Sequence, residues 1–161
     1  MNKIDENSEQ QVNEAISNNN KFTVSFTAPE AKILIVDDSP NLRKELDWYL
    51  QQYDMLTDQC DSGEKAIEAI KRKCYDMVFM DNHMPPGMNG LEAVLHIREL
   101  GNSDPYFNNL PIIAHDGRSY KKEMFLQNNY SDFLEKLSSP DQLEAILEKW
   151  LPKEKQIKRQ V

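Results

Sequence analysis

From Lys32 onward, short apolar runs alternate with longer stretches in which apolar residues recur every three or four positions. Ile33–Val36 reads as a strand buried on both faces, since a strand covered by helices on either side has no polar face. Ser39-Pro40 opens a helix, with serine as N-cap and proline at the first helical position. Leu42, Leu46, Tyr49 and Leu50 supply its buried stripe. Met55–Gln59 reads as a second strand. Asp61-Ser62-Gly63-Glu64 then caps a helix that turns Ala66, Ile67 and Ile70 inward. Met77–Met80 is a third strand, and Gly90–Leu100 a helix buried through Leu91, Val94 and Leu95, closed by Gly101 as C-cap. Leu110–Ala114, Tyr120–Gln127 and Asp132–Leu134 give strand, helix and strand. Pro140-Asp141 begins a last helix, in which Leu143, Ile146, Leu147, Trp150 and Leu151 keep helical spacing until Pro152.

Five strands alternating with five helices predict βαβ crossovers, hence an α/β fold with a doubly wound parallel sheet and helices on both faces. Residues 1–20 are polar, with only Ile4, Val12 and Ile16 to bury, and are expected to be flexible or loosely helical. Lys21–Ala28 alternates like a strand until Pro29. The chain thus divides into a flexible N-terminal segment or linker (1–30), one domain (31–152) and a charged C-terminal tail (153–161).

The 161 residues suit one domain of ordinary size. A formal net charge of −8 and the absence of a basic face exclude a nucleic-acid binder. No apolar run approaches the ~20 residues of a membrane span, and the N-terminus lacks the apolar core of a signal peptide. Cys60 and Cys74 form no CxxC pair and have no histidine at metal-ligand spacing. A cytoplasmic protein with two reduced thiols and no direct membrane contact is the expectation.

In a doubly wound sheet, ligands bind beyond the carboxyl ends of the strands. There the sequence places Asp37 and Asp38 after the first strand and Asp81 after the third. His115-Asp116 follows the fourth strand and Glu135-Lys136 the fifth. Three converging carboxylates need a cation, and hard oxygen ligands with room for water and phosphate suit Mg²⁺. A carboxylate beside that ion can attack a phosphoryl group and form an acyl phosphate, while the Lys136 ammonium binds a phosphoryl oxygen. Any one of these residues alone could be an ordinary loop or surface residue; their order and spacing together carry the signal.

The segments ILIVDDSPNLRKEL, YDMVFMDNHMPPGMNG, LPIIA and SDFLEK resemble the receiver domain of two-component response regulators, from about Lys32 to Leu151. The wording is most similar to receivers at the C-terminus of hybrid histidine kinases. KFTVSFTAPEAKILIVDD resembles a kinase's last ATP-binding strand running into its receiver, although the chain contains no ATP-binding motif. The resemblance implies a flavodoxin-like sheet of order 2-1-3-4-5, Mg²⁺ on Asp37 and Asp38, phosphorylation of Asp81, and a phosphoryl contact from Lys136. It makes the backbone carbonyl of His83 a further metal ligand and Phe133 the aromatic switch position. The implied partner is a histidine kinase or histidine phosphotransfer domain, and a homodimer is compatible with the family. The chain would not be an enzyme beyond Mg²⁺-dependent self-phosphorylation and dephosphorylation.

Some positions depart from the family pattern. Asp116 stands where the family has a switch Thr or Ser, and the segment before the following helix is about two residues short. Lys136-Leu137 replaces Lys-Pro, which predicts a trans bond there and a Lys136 held farther from Asp81. Pro85-Pro86-Gly87 lengthens the loop after Asp81 by one residue. An Asp116 carboxylate facing the site would repel a phosphoryl group; turned to solvent it would have little effect. Two functions therefore stay open: a phosphoacceptor in a phosphorelay, or an interaction module with the receiver fold that no longer switches. A phosphatase with an aspartyl nucleophile fits less well, because Asp37 and Asp38 are adjacent rather than spaced as DxD.

Overall fold

The computed structural model describes residues 23–160. Strands β1 (Phe26–Thr27) and β2 (Lys32–Val36) lead into helix α1 (Pro40–Gln51), followed by β3 (Leu56–Cys60), α2 (Gly63–Arg72) and β4 (Met77–Met80). Then come α3 (Gly90–Glu99), a short α4 (Pro105–Asn109), β5 (Ile112–Asp116), α5 (Lys122–Gln127) and β6 (Asp132–Glu135). Helix α6 (Pro140–Trp150) and β7 (Ile157–Lys158) complete the chain. The main sheet is parallel, in the order β3-β2-β4-β5-β6. This is the doubly wound 2-1-3-4-5 arrangement that the sequence predicts.

Alternation along the strands sends successive side chains to opposite faces, and each face has its own core. Ile33, Ile35, Met77, Phe79 and Ile113 pack with Leu46 and Leu50 of α1 and with Leu143 and Leu147 of α6. Leu34, Val36, Val78, Met80, Ile112 and Ala114 pack on the other face with Ala66 and Ile70 of α2, Ala93, Val94 and Ile97 of α3, and Phe125 of α5. Helix starts follow their caps. Ser39 and Ser62 accept hydrogen bonds from Leu42 N and Lys65 N, and Ser139 and Gln142 form a reciprocal capping box at α6.

Several sequence expectations need correction. Val24, Phe26 and Ala28 are core residues, so a flexible segment reaching to residue 30 is wrong for its last part. The reason is pairing at long range: β1 and β7 form an antiparallel ribbon, with Phe26 opposite Lys158 and Thr27 opposite Ile157. Lys155 adds an ion pair to Asp76 at 2.8 Å, so part of the charged tail belongs to the folded body. The expectation for residues 1–20 lies outside the described residues. Leu95 is 49% exposed, and Ala93, Val94 and Ile97 carry the buried stripe of α3. Gly101 lies in a 3₁₀ turn and is not a left-handed C-cap.

Candidate functional site

Register alone brings the charged residues together. Val36 pairs with Met80, Met80 with Ala114, and Asp116 with Glu135, so the residues that follow these strands share one edge of the sheet. Asp37, immediately after β2, is buried; its Oδ1 accepts from Ser39 N at 2.8 Å. Its Oδ2 lies 2.8 Å from Lys136 Nζ, and its carbonyl accepts from the Arg43 guanidinium. Asp81, immediately after β4, is buried too. Its Oδ1 is 3.1 Å from Lys136 Nζ, and its amide donates to the Val36 carbonyl at 2.8 Å. Asp38 is exposed beside them. Carboxylate oxygens from Asp37, Asp38 and Asp81 all fall within 4.8 Å of one another.

Three carboxylates against one ammonium leave the cluster two negative charges in excess. Burial first, and then the Asp37 charge, push the Asp81 carboxyl up to about 6, although Lys136 pulls the other way. Burial works against the Lys136 ammonium, but Asp37 and Asp81 outweigh it and hold Lys136 above the ordinary lysine value. A hard divalent cation matches this donor set of closely spaced oxygens with unspent charge.

The backbone below the cluster is fixed closely. Gly90 begins α3 directly beneath Asp81, where a Cβ would collide with the Asp81 carbonyl oxygen and the Tyr130 hydroxyl. Asn82 ties that turn down by accepting from Leu91 N at 3.1 Å. Glu64 accepts from Met88 N at 2.8 Å and anchors the loop between β4 and α3. His83, in that loop, is exposed. Phe133 is buried and stacks on Phe125, with ring centroids 6.0 Å apart. His115 stands edge-on to Phe79. Burial and then Lys136 push its imidazole down to about 4, so it is neutral at pH 7.

Two expectations about this site change. The Lys136-Leu137 bond is trans, since the cis bond among the described residues is Pro85-Pro86. Lys136 nevertheless does not stand back from Asp81: its Nζ lies 3.1 Å from Asp81 Oδ1, and the chain turns immediately after the lysine at Leu137, with a φ of 66°. Asp116 is neither a bare charge nor turned to solvent. It is 3% exposed, and Arg118 grips it through its backbone N at 2.9 Å, Nε at 2.9 Å and Nη2 at 3.0 Å. Burial raises the Asp116 carboxyl, but Arg118 wins and holds it below the usual carboxylate value. Sequence reasoning missed Arg118, and also Tyr130, whose buried hydroxyl finds no partner among the described residues.

No helix among the described residues is long and apolar enough to cross a membrane. The family described as response regulator receiver domain matches residues 33–148. Among curated proteins, the autoinducer 1 sensor kinase/phosphatase LuxN of Vibrio campbellii is 35% identical over 122 residues, covering 75% of this chain and 14% of that protein. The chain therefore spans about a seventh of that relative's length. Among solved structures, TrrA of Thermotoga maritima in complex with Mg²⁺ and BeF is 28% identical. Its TM-score is 0.64, with 75% of this chain and 99% of that one covered. The receiver domain of the sensor histidine kinase PA1611 of Pseudomonas aeruginosa, with magnesium in its active-site cleft, is 25% identical. Its TM-score is 0.66 over 74% of this chain and 96% of that one. With its sheet order, its acidic edge and a family match over most of its length, this chain belongs to the response regulator receiver domains of two-component signalling.

Proposed function

We propose that this chain is a phosphoacceptor in a two-component phosphorelay, phosphorylated on Asp81. The observation that carries the reading is the buried Asp81 carboxylate, which shares the Lys136 ammonium with Asp37 in a triad of carboxylates within 4.8 Å. Asp37, Asp38 and Asp81 would hold Mg²⁺, with the His83 backbone carbonyl as a further ligand. The ion supplies the positive charge that lets an anionic nucleophile meet an anionic phosphoryl group.

In the transfer, a carboxylate oxygen of Asp81 attacks phosphorus in line with the leaving group. The new O–P bond forms as the N–P bond of a phosphohistidine breaks, and the imidazole departs with the bonding pair. Lys136 holds a phosphoryl oxygen as charge builds there. The donor would be a histidine kinase or a histidine phosphotransfer domain. This chain carries no kinase motif of its own, and its acidic surface offers nothing to nucleic acid. The setting would be the cytoplasm, where such donors are found.

Incubation with acetyl phosphate and Mg²⁺, followed by Phos-tag electrophoresis, tests the reading. A retarded band in the parent that is absent in Asp81→Asn is the expected result. Absence of any band in the parent overturns it and leaves a receiver-fold interaction module.

A further inference from the structure

Asp116 occupies the carboxyl end of β5, where a bare carboxylate would oppose a phosphoryl group on Asp81. The structure disposes of its charge in an unusual way. One residue, two positions further on, supplies three donors to it: the Arg118 backbone N, Nε and Nη2. Asp116 is buried, while the Arg118 side chain is 40% exposed. The carboxylate is thus a fixed anchor, and the guanidinium is the part that faces outward. A fork through Nε and Nη2 leaves Nη1 and one hydrogen of Nη2 free of Asp116. Among the described residues, the hydrogen bonds recorded from the Arg118 guanidinium go to Asp116 alone, through Nε and Nη2.

The position of this pair in the sheet gives the free donors a use. The order β3-β2-β4-β5-β6 puts Asp81, at the end of β4, between the metal-binding carboxylates at the end of β2 and Asp116 at the end of β5. Asp116 is also bonded into the same edge, since its carbonyl accepts from Lys136 N at 2.9 Å. That lysine's ammonium touches Asp81. The Asp81 charge is among those that raise the Arg118 guanidinium. A planar guanidinium matches the oxygens of a phosphoryl group in geometry and charge.

Building on Asp81 as phosphoacceptor, we propose that Arg118 is a phosphoryl-binding residue. Asp116 positions it, so that an anchored guanidinium stands in for the hydroxyl found at this place in the family. The Asp116–Arg118 pair is neutral overall, so it removes the repulsion a lone Asp116 would exert. It also offers the phosphoryl group a second cationic side chain besides Lys136, on the side of Asp81 opposite the metal.

Beryllofluoride in the presence of Mg²⁺ mimics the phosphoryl group on the full chain, and its affinity can be read by calorimetry. Arg118→Gln should weaken binding by about tenfold, the worth of one charge-assisted hydrogen bond. Arg118→Lys, which keeps the charge but loses the fork, should fall between. Asp116→Asn should also weaken binding, because the guanidinium loses its anchor. The double variant should be no weaker than Arg118→Gln alone, as expected of two residues acting through one group. Mg²⁺ affinity without beryllofluoride should be unchanged in all of them, which separates a phosphoryl contact from general damage to the site. Tighter binding by Asp116→Asn, or unchanged binding by both Arg118 variants, would overturn the assignment while leaving Asp81 as phosphoacceptor. A parent chain that binds Mg²⁺ but no beryllofluoride would overturn both readings together.

Discussion

In the absence of metal, Asp81→Asn should make the protein more stable at neutral pH. Asp81 sits buried beside Asp37, and its carboxyl is pushed from 3.8 up to about 6. In the unfolded chain it titrates near its ordinary value. The folded state therefore binds that proton more tightly than the unfolded state does. It loses stability as pH rises from about 4 to about 6, and above that the cost is complete. A shift of this size corresponds to about 3 kcal/mol at 1.36 kcal/mol per unit. Solvent reaches part of the site, and screening reduces the figure to about 1–2 kcal/mol. Asparagine has the same shape and no charge, and Lys136 keeps Asp37 as a partner at 2.8 Å. Urea unfolding in EDTA at pH 7.5 should show the variant ahead by that margin, with the gap narrowing at pH 6 and further at pH 5. With Mg²⁺ added, the gap should close or reverse, because the ion neutralises the parent's excess charge and the variant has less to offer it. A variant that is less stable than the parent in EDTA at pH 7.5, or a gap indifferent to pH, would refute the reasoning.

Mg²⁺ at 100 times its dissociation constant should stabilise the parent by about 2.7 kcal/mol through mass action. Asp38→Ala should lose most of that gain in a thermal melt; a parent midpoint that ignores Mg²⁺ would remove the metal from the site. Phe26→Ala should cost about 3–5 kcal/mol in urea unfolding, because Phe26 is 1% exposed and packs 5.2 Å from the Tyr53 ring. A loss below ~1 kcal/mol would mean that the segment before residue 31 is an appendage after all.

The sequence exposed the parts of this molecule that rest on local pattern. Strands such as Ile33–Val36 and Met77–Met80 are uniformly apolar because both faces are covered. The acidic residues directly after them mark the sheet edge where ligands bind. What it concealed depends on distance along the chain or on chain direction. The alternation of Lys21–Ala28 marks β1 in the sequence, but its partner β7 is two residues long, carries no period to detect, and lies some 130 positions away (Phe26 with Lys158). The larger residues of α3 dominate its sequence pattern, which favours Leu95 over Ala93 for the buried stripe. Yet it is Ala93 that packs inward, its Cβ 3.0 Å from where a Cβ on Gly63 of α2 would stand. In the sequence Asp116 is an isolated charge, because nothing in DGRS says that the chain turns at Gly117 and brings Arg118 back over it.

Lys136 poses the same question about chain direction, and here an experiment can answer it. The lysine reaches Asp37 and Asp81 at 2.8 and 3.1 Å across a trans bond, with no proline after it. The turn is made instead by Leu137 at φ 66°, a region in which Cβ crowds the backbone at a cost of about 1–2 kcal/mol. Leu137 is 91% exposed, so its side chain recovers little of that cost by packing. The turn holds because both ends are fastened. Ser138 N donates to the Glu135 carbonyl at 3.1 Å, and Lys136 N donates to the Asp116 carbonyl at 2.9 Å. Leu137→Gly should release the crowding and, after the roughly 0.5–1 kcal/mol that glycine loses in backbone entropy, leave the protein more stable by up to about 1 kcal/mol. Beryllofluoride affinity should not change, because the lysine is held by its two carboxylates rather than by the residue that follows it. Urea unfolding that finds Leu137→Gly less stable than the parent would show that the leucine side chain contributes more than its exposure suggests. A loss of beryllofluoride affinity at unchanged stability would show instead that the turn's stiffness is what delivers Lys136 to the site.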